Sequence, residues 1–226
     1  MRISGTASAP GRENPVKALT SDRIMAHEGL WEQLEKLNGI EIARRAKCQY
    51  LAGPERYVIP LLNTEYIVHL SQRTILSAPL DSPQKPAGFL EQLCLLAYLI
   101  NARDVPLAGK LCKAETLPGG QFFFRGPHGL PVGKLQTTFG SRPDSLHAAS
   151  QRFGAERCEF GDASIRLFVL PRLPLTIVLW GACEEFDARA SILFDKSAGD
   201  QLPLDALLAV VNLTVQALTE AATVDR

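Results

Sequence analysis

The chain lacks a charge excess of either sign: its 226 residues carry 24 basic and 24 acidic side chains, a formal net charge of zero. A protein that neutralises many phosphates carries a basic excess, so nucleic-acid binding is set aside. A disordered chain would hold fewer apolar residues than the 46% found here and more charge of one sign. Long hydrophobic runs are missing as well. The longest, Leu93 to Ile100, falls far short of the ~20 residues that a bilayer span requires. Met1 to Arg23 mixes small, polar and charged residues without the apolar core of a secretory signal. These absences predict a cytoplasmic protein with neither nucleic acid nor membrane as partner.

Several kinds of chemistry are absent too. The five cysteines (Cys48, Cys94, Cys112, Cys158 and Cys183) are scattered, and no CxxC occurs. A zinc ribbon, a thioredoxin-type site and a cluster motif are therefore unwritten, and reduced thiols are expected. The four histidines (His27, His69, His128 and His147) show no HxH, HxxxH or HExxH spacing, so no metal site is predicted. No GxSxG elbow exists. The stretch Gly129 to Lys134 imitates a phosphate loop but puts three residues between its glycines and Leu135 after its lysine. A Walker A motif needs four, then Ser or Thr, so a loop entering a helix is expected instead.

What is present reads as an α+β domain. Residues 1–19 form a flexible lead-in, and 20–226 a single domain of small antiparallel sheets packed with four to five helices. Ile24, Trp31, Leu34 and Leu37 recur at helical spacing until Asn38-Gly39, and Glu41 to Lys47 makes a second short helix. Tyr57 to Ile59 and Tyr66 to Val68 suggest a hairpin or meander bounded by Gly53-Pro54 and Asn63. Phe89 to Ala102, apolar nearly all round, predicts a buried helix. Leu117 to Gly120 is a turn leading to a strand at Gln121 to Arg125, and Leu146, Ala149 and Phe153 share a helical face capped by Gly154. Ser164 to Leu170 and Leu175 to Trp180 are β-rich runs joined by Pro171 to Pro174, and Ser191 to Phe194 is a third. Pro203 opens a last helix with Leu204, Leu207, Leu208, Val211, Val215 and Leu218 on one stripe.

The charges carry the one functional hint. Asp162 precedes the first C-terminal run, Glu184, Glu185 and Asp187 follow the second, and Asp195 ends the third. Gathered at neighbouring loops, such carboxylates bind a hard cation, move protons or accept hydrogen bonds from a ligand. The bland alternative is that they cap turns and pair with Arg172 or Arg189. Residues 103–142 hold six bases against two acids, a net of +4, whereas residues 181–226 hold three bases against eight acids, a net of −5.

Specific strings lie in this region: Gly161-Asp162-Ala163, Leu167 through Leu175, Val178-Leu179-Trp180, Glu184-Glu185-Phe186 and Leu193-Phe194-Asp195. With Trp31 to Leu37, Leu95 to Leu99, Gly109-Lys110 and Leu117 to Gly120, they resemble the DUF3786 family over roughly residues 25–215. That family has no established mechanism. Some relatives carry an N-terminal iron–sulfur module, so the resemblance implies an accessory role in redox or corrinoid metabolism. This chain departs from the pattern in having no such cysteine motif and in placing Cys183 where an Asp precedes the paired acids.

The expected function is a small-ligand or cofactor-binding domain, partnered by a small anionic ligand or a redox protein. Its pocket would lie between the carboxylate loops and the basic middle section. Arg172 would grip an anionic group, Trp180 would stack, and Asp162, Glu184, Glu185 and Asp195 would orient polar groups. The residues name no cofactor. One alternative is an enzyme using Glu184 or Glu185 as general acid or base. Another is a protein-interaction module docking through its charged faces.

Overall fold

A computed structural model describes residues 27–78 and 83–224. Its first helix, α1, is helical from residue 27 to 35 and buries Trp31 and Leu34. Asn38 does not end that helix. It caps the next, α2 (Gly39–Ala46), by accepting the Glu41 N–H at 3.0 Å. The Tyr50 ring lies against Gly39, where a Cβ would meet it at 2.4 Å.

A five-stranded antiparallel meander follows: β1 (Gln49–Ala52), β2 (Glu55–Leu61), β3 (Thr64–His69), β4 (Thr74–Ser77) and β5 (Lys85–Pro86), in that spatial order. Its inner face buries Tyr57, Ile59, Tyr66 and Val68, the alternation that the two runs predicted. α3 (Phe89–Asn101) comes next, with every residue from Cys94 to Leu99 buried.

The second sheet combines β6 (Leu111–Lys113) with four later strands: β7 (Glu156–Arg157), β8 (Ala163–Leu170), β9 (Leu173–Trp180) and β10 (Arg189–Asp195). Its order is β6-β10-β9-β8-β7, and every pairing is antiparallel. Between β6 and β7 lie α4 (Gly120–Phe123), α5 (Val132–Phe139) and α6 (Ser145–Ser150); α7 (Leu204–Val224) closes the chain. The expected α+β class holds, with seven helices among the described residues in place of four to five; α6 answers the helical face read through Leu146 and Ala149, and α4 stands where a strand was expected. The two sheets touch where the Leu62 N–H donates to Val169 O at 3.1 Å.

One element differs from expectation. Gln121 to Arg125 is no strand: the chain turns into α4 and then a 3-10 turn at Gly126–His128. Gly119 adopts φ +77°, and Gly120 sits where a Cβ would lie 2.1 Å from Ala114 O. That tight reversal overrides the β preference of three consecutive phenylalanines. The β8–β9 link is also shorter than predicted, because Leu173 and Pro174 already belong to β9. Pro174 has no N–H for the ladder, and it pairs Phe168 where the register shifts.

Helix α7 packs against α3, α5 and α6 in the middle of the fold. It is long and apolar enough, by length and composition, to cross a membrane. Half of that stretch is buried among its neighbours, as in the core helix of a folded domain. The predicted lead-in and the start of the first helix lie outside the described residues.

Candidate functional site

Strands β8, β9 and β10 are neighbours, as a carboxylate cluster would require, yet antiparallel pairing sends the predicted residues to opposite ends of the sheet. Arg172 sits in the β8–β9 turn and Asp195 ends β10, opposite the start of β9. Asp162, Trp180, Glu184 and Glu185 gather at the other end, where Ala163 pairs Leu179 and Arg189 pairs Trp180. Strands seven to eight residues long separate the two groups by roughly 20–25 Å.

Arg172 is buried, and its fork closes inside the chain. Nε donates to Arg45 O at 2.6 Å, Nη1 to Val105 O at 3.2 Å and Nη2 to the Asp104 carboxylate. Its backbone N–H donates to the Tyr98 hydroxyl, which donates in turn to Ala46 O, both at 3.1 Å. The arrangement ties α2, the 102–110 segment and the hairpin together.

Asp195 is likewise engaged. Its carboxylate accepts from Ala108 N–H (2.9 Å), Gly109 N–H (2.8 Å), Ser197 N–H (2.9 Å) and Ser197 Oγ (2.6 Å). Burial pushes this carboxyl up, but those hydrogen bonds outweigh it and hold it below the ordinary aspartate value. This is where the acidic segment meets the basic middle section.

At the far end, Asp162 accepts the Gly181 N–H at 2.7 Å. Trp180 is 37% exposed, with the Arg189 guanidinium 5.9 Å from its ring centre. Glu184, Glu185 and Phe186 stand exposed on a turn closed by Cys183 N–H to Phe186 O at 2.9 Å. Among the described residues no group of three His, Cys, Asp or Glu is placed to hold a metal ion.

A groove lies on the outer face of the second sheet. Along β8, Ile165, Leu167 and Val169 point into the core, so Arg166 and Phe168 point out. Arg166 pairs with Thr176 across β9, and Phe168 with Pro174. The segment between β7 and β8 folds back over this face: Phe160 N–H donates to Ser164 Oγ at 2.9 Å, and Asp162 N–H to Leu179 O at 2.8 Å. Gly161 permits the fold-back, with φ +58° and only 2.4 Å between its Cβ position and Leu179 O.

Between this flap and the sheet lies a cavity of about 220 Å³. Phe160, Leu111 and Pro174 give it apolar walls, Thr176 and Cys158 a polar side, and Arg166 and Asp195 its charges. The Arg166 guanidinium lies over the Phe168 ring, 5.3 Å from its centre. Unlike Arg44, Arg73, Arg103 and Arg172, it pairs with no carboxylate of the described residues. Sequence reasoning placed Asp195 here and missed Arg166 and Phe160. The alternation through β8 contains the signal for Arg166, whereas nothing local marks Phe160 as part of a flap.

No curated protein and no solved structure matches the chain. The model of the family described as "Domain of unknown function (DUF3786)" matches residues 40–217, most of the chain, and the protein belongs to that family.

Proposed function

We propose that the domain binds a small anionic ligand in the groove beneath the Phe160 flap. The observation that carries the reading is Arg166: a guanidinium without a carboxylate partner among the described residues, 5.3 Å from the Phe168 ring centre, lining a cavity with apolar walls. The anion-holding role expected of Arg172 passes to Arg166, because the fork of Arg172 is filled from within. Other cavities suit an anion less well. The one beside Tyr66 is lined by Glu91 and Glu220, and the one at Asn63 has no charged lining; the one beside Leu130 sets Lys113 against Glu115, whereas in the groove Asp195 is already occupied by four donors. At about 220 Å³ the groove is smaller than the roughly 300–1,000 Å³ typical of drug-sized ligands, which points to a small molecule.

An accessory role in redox or corrinoid metabolism, with a redox protein as partner, enters this proposal only through the family resemblance. The enzymatic alternative gains no support from Glu184 and Glu185, which are exposed and line none of these cavities.

The test is a thermal-shift screen of the full chain against acetate, benzoate, phosphate and sulfate. At least one anion is expected to stabilise the wild type and Arg103→Gln but not Arg166→Gln. An identical response from all three proteins would refute the assignment.

A further inference from the structure

We infer that the ligand of this groove is a monocarboxylate with an apolar body about the size of one ring, and not a phosphate. The inference rests on the ligand-binding reading above and specifies its chemistry.

Charge is the first argument. Arg166 is the one cationic side chain lining the cavity, and the Asp195 carboxylate lines it too. Glu156, on β7, lies directly opposite Arg166 in the register. A single negative charge on the ligand meets one guanidinium and faces these two carboxylates only once. A phosphate dianion would bring a second negative charge towards two carboxylates with no second cation to offset it.

Donor geometry is the second. Phosphate sites draw on clustered backbone N–H groups or on several cations. Gly109 lines this groove, but its amide and that of Ala108 before it already donate to Asp195. What remains is the edge of Arg166. Its guanidinium carbon lies 5.3 Å from the Phe168 ring centre, and its N–H fork, which pairs with no carboxylate of the described residues, matches the two oxygens of a carboxylate.

Size and walls complete the case. A cavity of about 150 Å³ in another protein accommodates a benzene molecule. The present groove, at about 220 Å³, has room for one ring and a carboxylate. Phe160, Leu111 and Pro174 supply the apolar contact, with Phe160 on the flap as the stacking partner.

The experiment titrates the full chain with benzoate, phenyl phosphate and benzylamine, following backbone amide shifts by NMR. Benzoate is expected to move the amides of Phe160, Arg166 and Thr176, with phenyl phosphate at least tenfold weaker and benzylamine silent. Arg166→Lys should weaken benzoate at least tenfold, and Phe160→Ala, a change on an exposed segment, should weaken it severalfold. Glu156→Gln should narrow the gap between the two anions. Phenyl phosphate binding as tightly as benzoate at these amides would overturn the carboxylate inference while leaving the groove reading standing. If neither anion moves them, both fall.

Discussion

The guanidinium of Arg172 closes on the carboxylate of Asp104, and Arg44 holds the same carboxylate from α2. Two backbone carbonyls, Arg45 O and Val105 O, complete the ring of acceptors around Arg172. A residue with the sequence marks of a ligand clamp has its fork filled from within the chain. Arg172→Ala would leave both carbonyls without this donor and the Asp104 carboxylate with Arg44 alone. The expected loss is roughly 2–4 kcal/mol, measured by urea unfolding, while benzoate binding at temperatures where the variant stays folded is unchanged. Loss of binding with wild-type stability would return Arg172 to the site.

Elements with a strong period are legible in the amino-acid sequence alone. The β-rich runs of β8 and β9, the apolar girth of α3 and the 3.6-residue stripe of α7 each follow from local composition and spacing. Partners set by tertiary contact are not legible in this way. Arg172 finds its acceptors 127 and 67 positions away, so no local pattern distinguishes it from a surface arginine. The six predicted site residues fail to form one cluster for a related reason. Neighbouring antiparallel strands bring together the end of one and the start of the next, so Asp195 lies at the opposite end of β10 from the turn that carries Glu184 and Glu185.

Asp195 makes the fold acid-sensitive. Its carboxyl lies below its ordinary value of 3.8, so the folded state binds this proton less readily than the unfolded state. The stabilisation is complete above that ordinary value and disappears as pH falls through the lower folded one. At pH 7, Asp195→Asn should cost about 1–3 kcal/mol, since an amide is a poorer acceptor for the four donors. The difference between wild type and variant should shrink as pH drops below 3.8. A pH series of urea midpoints reads this directly, and a constant difference down to pH 2 would contradict it.

Gly161 links fold and groove. With φ +58° and only 2.4 Å between its Cβ position and Leu179 O, any side chain there must displace the flap that carries Phe160. Gly161→Ala should destabilise by about 1–3 kcal/mol and weaken benzoate more than that loss of stability explains, because the apolar wall shifts. A variant with unchanged melting temperature and unchanged affinity would show that the flap tolerates another backbone path.

Thiol reactivity provides an independent check on burial and on the groove together. Cys94 is fully buried, and burial pushes its thiol well above the ordinary value. Cys48 is pushed up to about 12 by the same cause, only partly opposed by Arg45. Burial also raises Cys158, with Arg166 pulling the other way. Since the thiolate is the reactive form, iodoacetamide at pH 7.5 should label exposed Cys183 first. Cys158 should follow slowly, and Cys94 and Cys48 only after denaturant is added. Cys158 lines the groove, so saturating benzoate should slow its alkylation severalfold while Cys183 reacts at the same rate. Peptide mass spectrometry over a time course separates the sites, and protection spread equally over Cys158 and Cys183 would mean that benzoate acts on the whole fold and not in the groove.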